Sequence, residues 1–173
     1  MRTTTIVAAV ITALAFTAPA RAEEKRASPH ADVTASVGGK QITISYSRPY
    51  AKGRAIFGGL VPWGQVWRTG ANEATTLTAD ADVTIGTIKV PKGEYSLFTI
   101  PGEKQWTLVL NKTAKQWGAF KYDVAQDLGR TAMTVAASAK PVEQLTIELV
   151  PNGKQATLKL SWDKTVASVA ITP

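Results

Sequence analysis

The sequence predicts an all-β fold, an antiparallel sandwich formed by a single domain. Apolar and polar residues alternate with a period of two in about ten short segments, as expected for strands with one buried face. Turn-forming pairs such as Gly38-Gly39 and Asn152-Gly153 separate these segments, and no segment has the apolar spacing of a helix of ordinary length. Short strands at regular intervals are typical of a sandwich or a closed barrel, and we favour a jelly-roll-like sandwich.

The first two strands form a predicted hairpin. Residues 33–37 and residues 42–46 both alternate apolar and polar side chains, and Gly38-Gly39 between them suits a tight turn. Pro49 follows the second strand and ends its hydrogen-bond ladder, because proline has no N–H to donate. A long irregular segment therefore begins at the end of this strand.

The other strands are predicted from β-prone residues separated by Gly and Pro. They cover residues 74–79, 83–85, 88–90, 95–100, 106–110, 131–138, 143–150, 156–162 and 165–171. The clearest hairpin turn is Pro151-Asn152-Gly153-Lys154. One short helical turn is predicted at residues 123–128.

The N-terminus has the pattern of a secretory signal peptide. Arg2 precedes an apolar run at residues 6–16, and Ala20-Arg21-Ala22 forms a small-x-small cleavage site. The run is too short to span a bilayer, so we expect no membrane span once residues 1–22 are removed. We therefore expect a periplasmic or secreted protein with a flexible leader at residues 23–31 and a β domain at residues 32–173.

Composition excludes several classes of function. The formal net charge is +7, but the lysines are scattered and no nucleic-acid-binding motif is present, so we expect no nucleic-acid partner. There is no cysteine, which excludes disulfides, thiol catalysis and thiolate metal sites. With a single histidine as well, we expect neither a metal nor a cofactor. The oligomeric state is left open.

Residues 46–77 contain the densest mixture of Arg, Lys, Gly, Pro and Trp in the chain. Ordinary connections between strands are a few polar residues, so a long, aromatic and charged connection indicates a functional loop. The predicted ligand-binding residues are Arg48, Lys52, Arg54, Trp63, Trp67, Arg68, Asn72 and Glu73.

These residue types suit a concave site for a small anionic or glycan-like ligand. Guanidinium groups bind carboxylate or phosphate, and tryptophan rings offer flat faces to sugars or apolar groups. Glycines in the same segment let the backbone approach a ligand closely. The leading hypothesis is therefore a non-catalytic binding module.

Three alternatives stay open. Arg54 or Arg68 could pair with Glu73 in a buried bridge, with Trp63 and Trp67 as core aromatics, which would make the segment structural. An envelope hydrolase acting on a carbohydrate or ester could use Glu73, the single catalytic candidate, as general acid or base. The sequence does not indicate whether Asp123 or Asp127 would supply the second carboxylate of such a hydrolase. The protein could also be a structural component of the envelope.

Three long motifs resemble a known family. They are RP-x-x-KGR-x-IFG at residues 48–58, LVPWG-x-VWRTGANEAT at residues 60–75 and KGEYSLFTIPG at residues 92–102. They are similar to the bacterial family DUF2911, a domain of unknown function, and the likeness extends over residues 28–162. The resemblance implies an exported, β-rich bacterial protein. It implies no activity and no catalytic residues.

Overall fold

The computed structural model describes residues 26–173, so the expected signal peptide at residues 1–22 lies outside the described residues. Within them, the all-β prediction is confirmed. The strands are β1 His30–Val37, β2 Lys40–Ser47, β3 Thr75–Ala79, β4 Val83–Ile85, β5 Ile88–Val90, β6 Gly93–Ile100, β7 Gln105–Asn111, β8 Asp127–Asn152 and β9 Gln155–Thr172. Among residues 26–173, no helix is long and apolar enough to cross a membrane.

The nine strands form one antiparallel sheet with the order β1-β2-β3-β6-β7-β8-β9-β4-β5. The sheet folds over on itself, because β1 at one edge contacts β8 and β9, and β5 at the other edge contacts β8. The Ile147 N–H of β8 donates to the Tyr46 hydroxyl of β2 at 2.8 Å, which ties the two layers together. The result is a sandwich-like domain made from one continuous sheet.

Two strands are longer than the sequence predicts. The predicted strands at residues 131–138 and 143–150 are both part of β8, and the last two predicted strands are both part of β9. The β8–β9 register shifts between Ala137 and Val142, where Pro141 interrupts the sequence. Because a bulge accommodates a residue without an N–H, Pro141 bends β8 instead of ending it.

The predicted turns occur where expected. Gly38 and Gly39 join β1 to β2 with φ of 60° and 87°, and Gly153 joins β8 to β9 with φ of 61°. These left-handed conformations favour glycine. The helical turn at residues 123–128 is a shorter 3-10 turn, Val124–Gln126, and β1 begins at His30, before the expected domain start.

Two apolar clusters fill the domain. The main core lies between the two layers and takes buried side chains from all nine strands, including Trp106 and Trp162. A smaller cluster of Ala74, Phe98 and Val109 packs on the opposite face of β6 and β7, since side chains alternate along a strand. Further residues of irregular segments cover this smaller cluster: Val66, Ala119 and Tyr122.

Candidate functional site

Two irregular segments meet outside β6 and β7. We call the connection between β2 and β3, residues 48–74, the long loop, and residues 111–122 the second loop. Isolated bridges attach the long loop at three points, joining Tyr50 to Gln144, Trp67 to Thr99 and Glu73 to Trp117. The last bridge joins the two loops, so both are anchored parts of the fold.

Two of the arginines that were predicted to bind a ligand instead form hydrogen bonds with backbone carbonyls. Arg48 donates from Nε to the Leu145 carbonyl at 3.1 Å and from Nη2 to the Thr146 hydroxyl at 3.0 Å. Arg54 donates from Nε to the Ala51 carbonyl at 2.9 Å and from Nη2 to the Tyr50 carbonyl at 2.5 Å. Both guanidinium groups therefore stabilise the first part of the long loop.

Lys52 and Asn72 adopt left-handed backbone conformations, with φ of 51° and 59°. The Lys52 N–H donates to the Glu143 carboxylate at 2.8 Å, while the residue is exposed. The Asn72 carbonyl accepts the Gly118 N–H at 3.1 Å, and the Ala74 N–H donates to the Gln116 carbonyl at 2.8 Å. Asn72 therefore forms part of the junction between the loops.

The two predicted tryptophans have different surroundings. Trp67 is buried and stacks on Trp162, with ring centroids 5.8 Å apart and planes at 16°. Its indole N–H donates to the Gly70 carbonyl at 3.2 Å. Trp63 lies at the surface, 38% exposed, with its ring 6.0 Å from that of Phe57. The core-aromatic alternative therefore describes Trp67 but not Trp63.

Glu73 is paired with a residue that the sequence did not suggest. Arg26 Nη1 lies 2.9 Å and 3.0 Å from the two carboxylate oxygens, and both side chains are about half exposed. The alternative of a buried bridge from Arg54 or Arg68 to Glu73 is wrong: within residues 26–173, neither arginine pairs with it. No sequence signal identified Arg26, which lies in the expected leader far from Glu73 along the chain.

The same surroundings hold the Glu73 carboxylate in its charged form. Partial burial raises its pKa, but the residue's own backbone N–H and the neighbouring Arg26 and His30 outweigh this, so the pKa of Glu73 is lowered. A carboxyl group with a lowered pKa is a poor proton donor at neutral pH. This chemistry disfavours Glu73 as a general acid.

The two carboxylates considered as partners of Glu73 have structural contacts. Asp123 accepts the Ala125 N–H at 2.9 Å and caps the 3-10 turn. Asp127 accepts the Tyr122 hydroxyl at 2.7 Å and Arg130 Nε at 2.9 Å, and Asn111 Nδ2 lies 3.0 Å away. These contacts hold the end of the second loop.

The Tyr122 hydroxyl in this cluster is difficult to ionise. Burial and the adjacent Asp127 raise the pKa of Tyr122 to about 12, although Arg130 acts in the opposite direction. Tyr122 therefore stays neutral at physiological pH and donates to Asp127.

An open pocket of about 260 Å³ lies between the long loop and the second loop. Its walls are mainly apolar, with two polar side chains, and sequence reasoning placed only Trp67 and Arg68 of its lining in a site. The lining residues are Leu60, Val61, Pro62, Gln65, Val66, Trp67, Arg68, Ala119 and Phe120. The contribution of the second loop was missed, although its exposed aromatic segment was visible in the sequence.

Arg68 is the cation of this pocket. Its Nε atom is buried and has no hydrogen-bond partner among residues 26–173, and burial lowers the pKa of the guanidinium. A partly buried charge without an ionic partner is unfavourable, so an anion beside the guanidinium would be stabilised. Of the predicted site residues, Arg68 is the one whose surroundings leave a charged group to be satisfied by a ligand.

No group of three or more His, Cys, Asp or Glu side chains lies close enough to hold a metal ion in the part of the chain that the structure describes.

Comparison with known proteins identifies a family but no characterised relative. The model of a protein family described as a protein of unknown function, DUF2911, matches residues 28–171. No curated protein and no solved structure matches the chain significantly. The matched region includes both loops and all nine strands. The chain therefore belongs to the DUF2911 family of proteins of unknown function.

Proposed function

We propose that this protein is a non-catalytic binding module for a small ligand that combines an anionic group with an apolar or ring-shaped face. The observation that carries the proposal is the partly buried Arg68 guanidinium, which lines a mainly apolar pocket and whose Nε has no hydrogen-bond partner among residues 26–173. A carboxylate in the pocket would balance the charge of this guanidinium and accept hydrogen bonds from its more exposed nitrogens.

The pocket walls favour a ligand with a substantial apolar surface. Leu60, Val66 and Phe120 supply aliphatic and aromatic contact, and Gln65 supplies an amide donor and acceptor. An acidic sugar could lay its ring on Phe120 while its carboxylate meets Arg68. An aromatic or aliphatic carboxylate would use the same two contacts.

The hydrolase alternative has less support. Glu73 is charged and paired with Arg26, and it is not among the residues that line the pocket. A two-carboxylate mechanism needs one carboxyl group that holds its proton near neutral pH. The lowered pKa of Glu73 disfavours it as the protonated acid of such a mechanism.

The proposal is tested by thermal shift with a panel of small carboxylates and acidic sugars. A ligand at one hundred times its Kd stabilises the folded state by about 2.7 kcal/mol, which raises Tm by roughly 5–10 °C for a domain of this size. We expect Arg68→Gln to abolish this rise. Lys52→Gln is the matched control, because it removes an exposed cation of the same loop outside the pocket, and it should keep the rise.

The unliganded variants provide the second readout. Arg68→Gln should change the stability of the free protein little or increase it, because it removes a desolvated charge that has no partner. A loss of several kcal/mol in Arg68→Gln would identify Arg68 as structural. A ligand-induced rise that persists in Arg68→Gln would place the ligand elsewhere. Either result overturns the proposal.

We also propose that the protein acts in the periplasm or is secreted, as the N-terminal pattern indicates. Mass spectrometry of the protein isolated from its host should give Glu23 as the first residue. Retention of residues 1–22 would overturn this proposal.

A further inference from the structure

The exposed large apolar side chains of residues 26–173 are concentrated around the two loops. Apart from Val150, they all belong to the long loop, the second loop or the adjoining 3-10 turn: Leu60, Trp63, Trp117, Phe120 and Val124. Scattered surface hydrophobic residues need no explanation, but a concentration of them marks an interaction surface.

Trp117 and Phe120 are the most exposed of these side chains, at 63% and 84%. The segment that presents them is firmly held. Trp117 forms a backbone bridge with Glu73, and the Gly118 N–H donates to the Asn72 carbonyl at 3.1 Å. The backbone that carries the two aromatic rings is therefore anchored, so little backbone entropy would be lost on contact.

Lysines flank the aromatic pair. Lys112, Lys115 and Lys121 are exposed, the second loop contains no acidic residue, and Asp123, which follows the loop, caps the 3-10 turn. Lys115 also lies 3.3 Å from Glu94, an exposed pair that leaves its ammonium accessible. A second copy of the same surface would bring like charges together, so the charge favours an anionic partner.

We propose that the second loop docks peripherally on the surface of an anionic phospholipid bilayer. Tryptophan is enriched at the interface between headgroups and acyl chains, because its ring is apolar and its N–H is polar. Lysines near such a surface are attracted by the anionic headgroups. The surface combines both features on one anchored turn. Phe120 is shared with the small-ligand pocket, but Trp117 and the lysines do not line it, so the inference does not depend on a ligand in that pocket.

The test is co-sedimentation of the purified protein with vesicles of phosphatidylcholine alone or mixed with phosphatidylglycerol. We expect binding to the mixed vesicles, little binding to phosphatidylcholine, and weaker binding at high salt. Trp117→Ser and the double variant Lys115→Gln/Lys121→Gln should each weaken binding about tenfold or more. Val150→Ser and Lys154→Gln are matched controls away from the loop and should bind as the unaltered protein does.

Circular dichroism and Tm establish whether each variant is folded. We expect all of them to fold, because the substituted side chains are exposed. Equal loss of binding in the loop variants and the controls would show general charge attraction and overturn the proposal. Absence of binding to the mixed vesicles would also overturn it. Self-association that disappears in Trp117→Ser would identify a contact between copies of the chain and overturn it as well. Carboxylate binding should persist in Trp117→Ser. A failure of the membrane-docking proposal can therefore be distinguished from a failure of the small-ligand proposal.

Discussion

Arg68 and Glu73 belong to one motif but have opposite surroundings. The Arg68 guanidinium is half-buried and its Nε has no partner in the described part of the chain, whereas the Glu73 carboxylate is about half exposed and paired with Arg26. Among residues 26–173, the structure therefore shows no ion pair between these two residues, which the sequence suggested as possible partners. Their contributions to stability should be independent and small.

Glu73→Gln should destabilise the protein by less than about 1 kcal/mol, because exposed ion pairs contribute little. The pKa of Glu73 is lowered in the folded state, so the contribution of its charge is present above the ordinary carboxyl pKa and is lost as the pH falls through the folded value. Urea unfolding at neutral and acidic pH measures both effects.

Arg68→Gln combined with Glu73→Gln should give the sum of the two single effects, since the side chains do not contact each other. Single losses of about 3–5 kcal/mol that the double variant recovers would reveal a buried bridge and contradict this expectation.

Tyr122 should cause a loss of stability at alkaline pH. Its pKa rises from an ordinary value of 10.0 to about 12 in the folded state, so the folded protein holds this proton more tightly than the unfolded chain does. The contribution of this proton to the free energy of unfolding is fully present below pH 10 and is lost as the pH rises to about 12. We therefore expect the difference in unfolding free energy between the protein and Tyr122→Phe to shrink across this range.

Ultraviolet absorbance of tyrosinate provides the direct measurement for the same variant. Tyr122→Phe should remove a late-titrating component from the folded protein. Loss of a component that titrates near pH 10 instead would mean that Tyr122 ionises at its ordinary pH.

At the scale of elements, the β4–β5 turn shows how a short hairpin is fixed to its neighbours. Gly86 has φ of 56°, and its N–H donates to the Ala170 carbonyl at 2.9 Å. A Cβ at Gly86 would collide with the Thr131 side chain, which accepts the Thr87 N–H at 3.1 Å. The turn therefore needs glycine for two independent reasons.

Gly86→Ala should cost about 2–4 kcal/mol, combining left-handed strain with the collision against Thr131. Gly153→Ala is the matched control, because Gly153 has φ of 61° but no atom within 4 Å of the added Cβ. It should cost only the strain, about 1–2 kcal/mol. Chemical denaturation of both variants gives the comparison, and equal losses would exclude a contribution from the contact with Thr131.

At the scale of the whole molecule, every strand contributes to one core. Because the sheet closes with β1 against β8 and β9, no group of strands has a separate interior. The second cluster, around Phe98 and Val109, shares β6 and β7 with the main core. The domain should therefore behave as one cooperative unit.

Urea unfolding should show one transition, with far-ultraviolet circular dichroism and tryptophan fluorescence giving coincident curves. The dichroism spectrum should be dominated by strand. Two separated transitions would mean that the loops and the smaller cluster unfold independently of the main core.

The sequence by itself determined the features that depend on neighbouring residues. Alternation with a period of two predicted the strands, and glycine pairs predicted the hairpins, because both follow from local backbone geometry. It also located the long loop and the family resemblance. Strand lengths were less predictable: the sequence predicted separate strands on either side of Pro141, and only the bulged pairing of β8 with β9 showed that they are one strand.

Only the tertiary structure showed which of the predicted site residues have partners within the fold. Arg48 is satisfied by Leu145, which lies 97 residues away in sequence, and Glu73 by Arg26 at a separation of 47. The pocket exists because Ala119 and Phe120 of the second loop line it together with residues of the long loop. Contacts of this kind depend on the order in which distant strands pair, and local patterns carry no record of that order. The residue types therefore predicted a binding surface, while the folding of the sheet placed Arg68 and the buried Trp67 in the lining of the pocket and let Arg48 and Arg54 donate to backbone carbonyls.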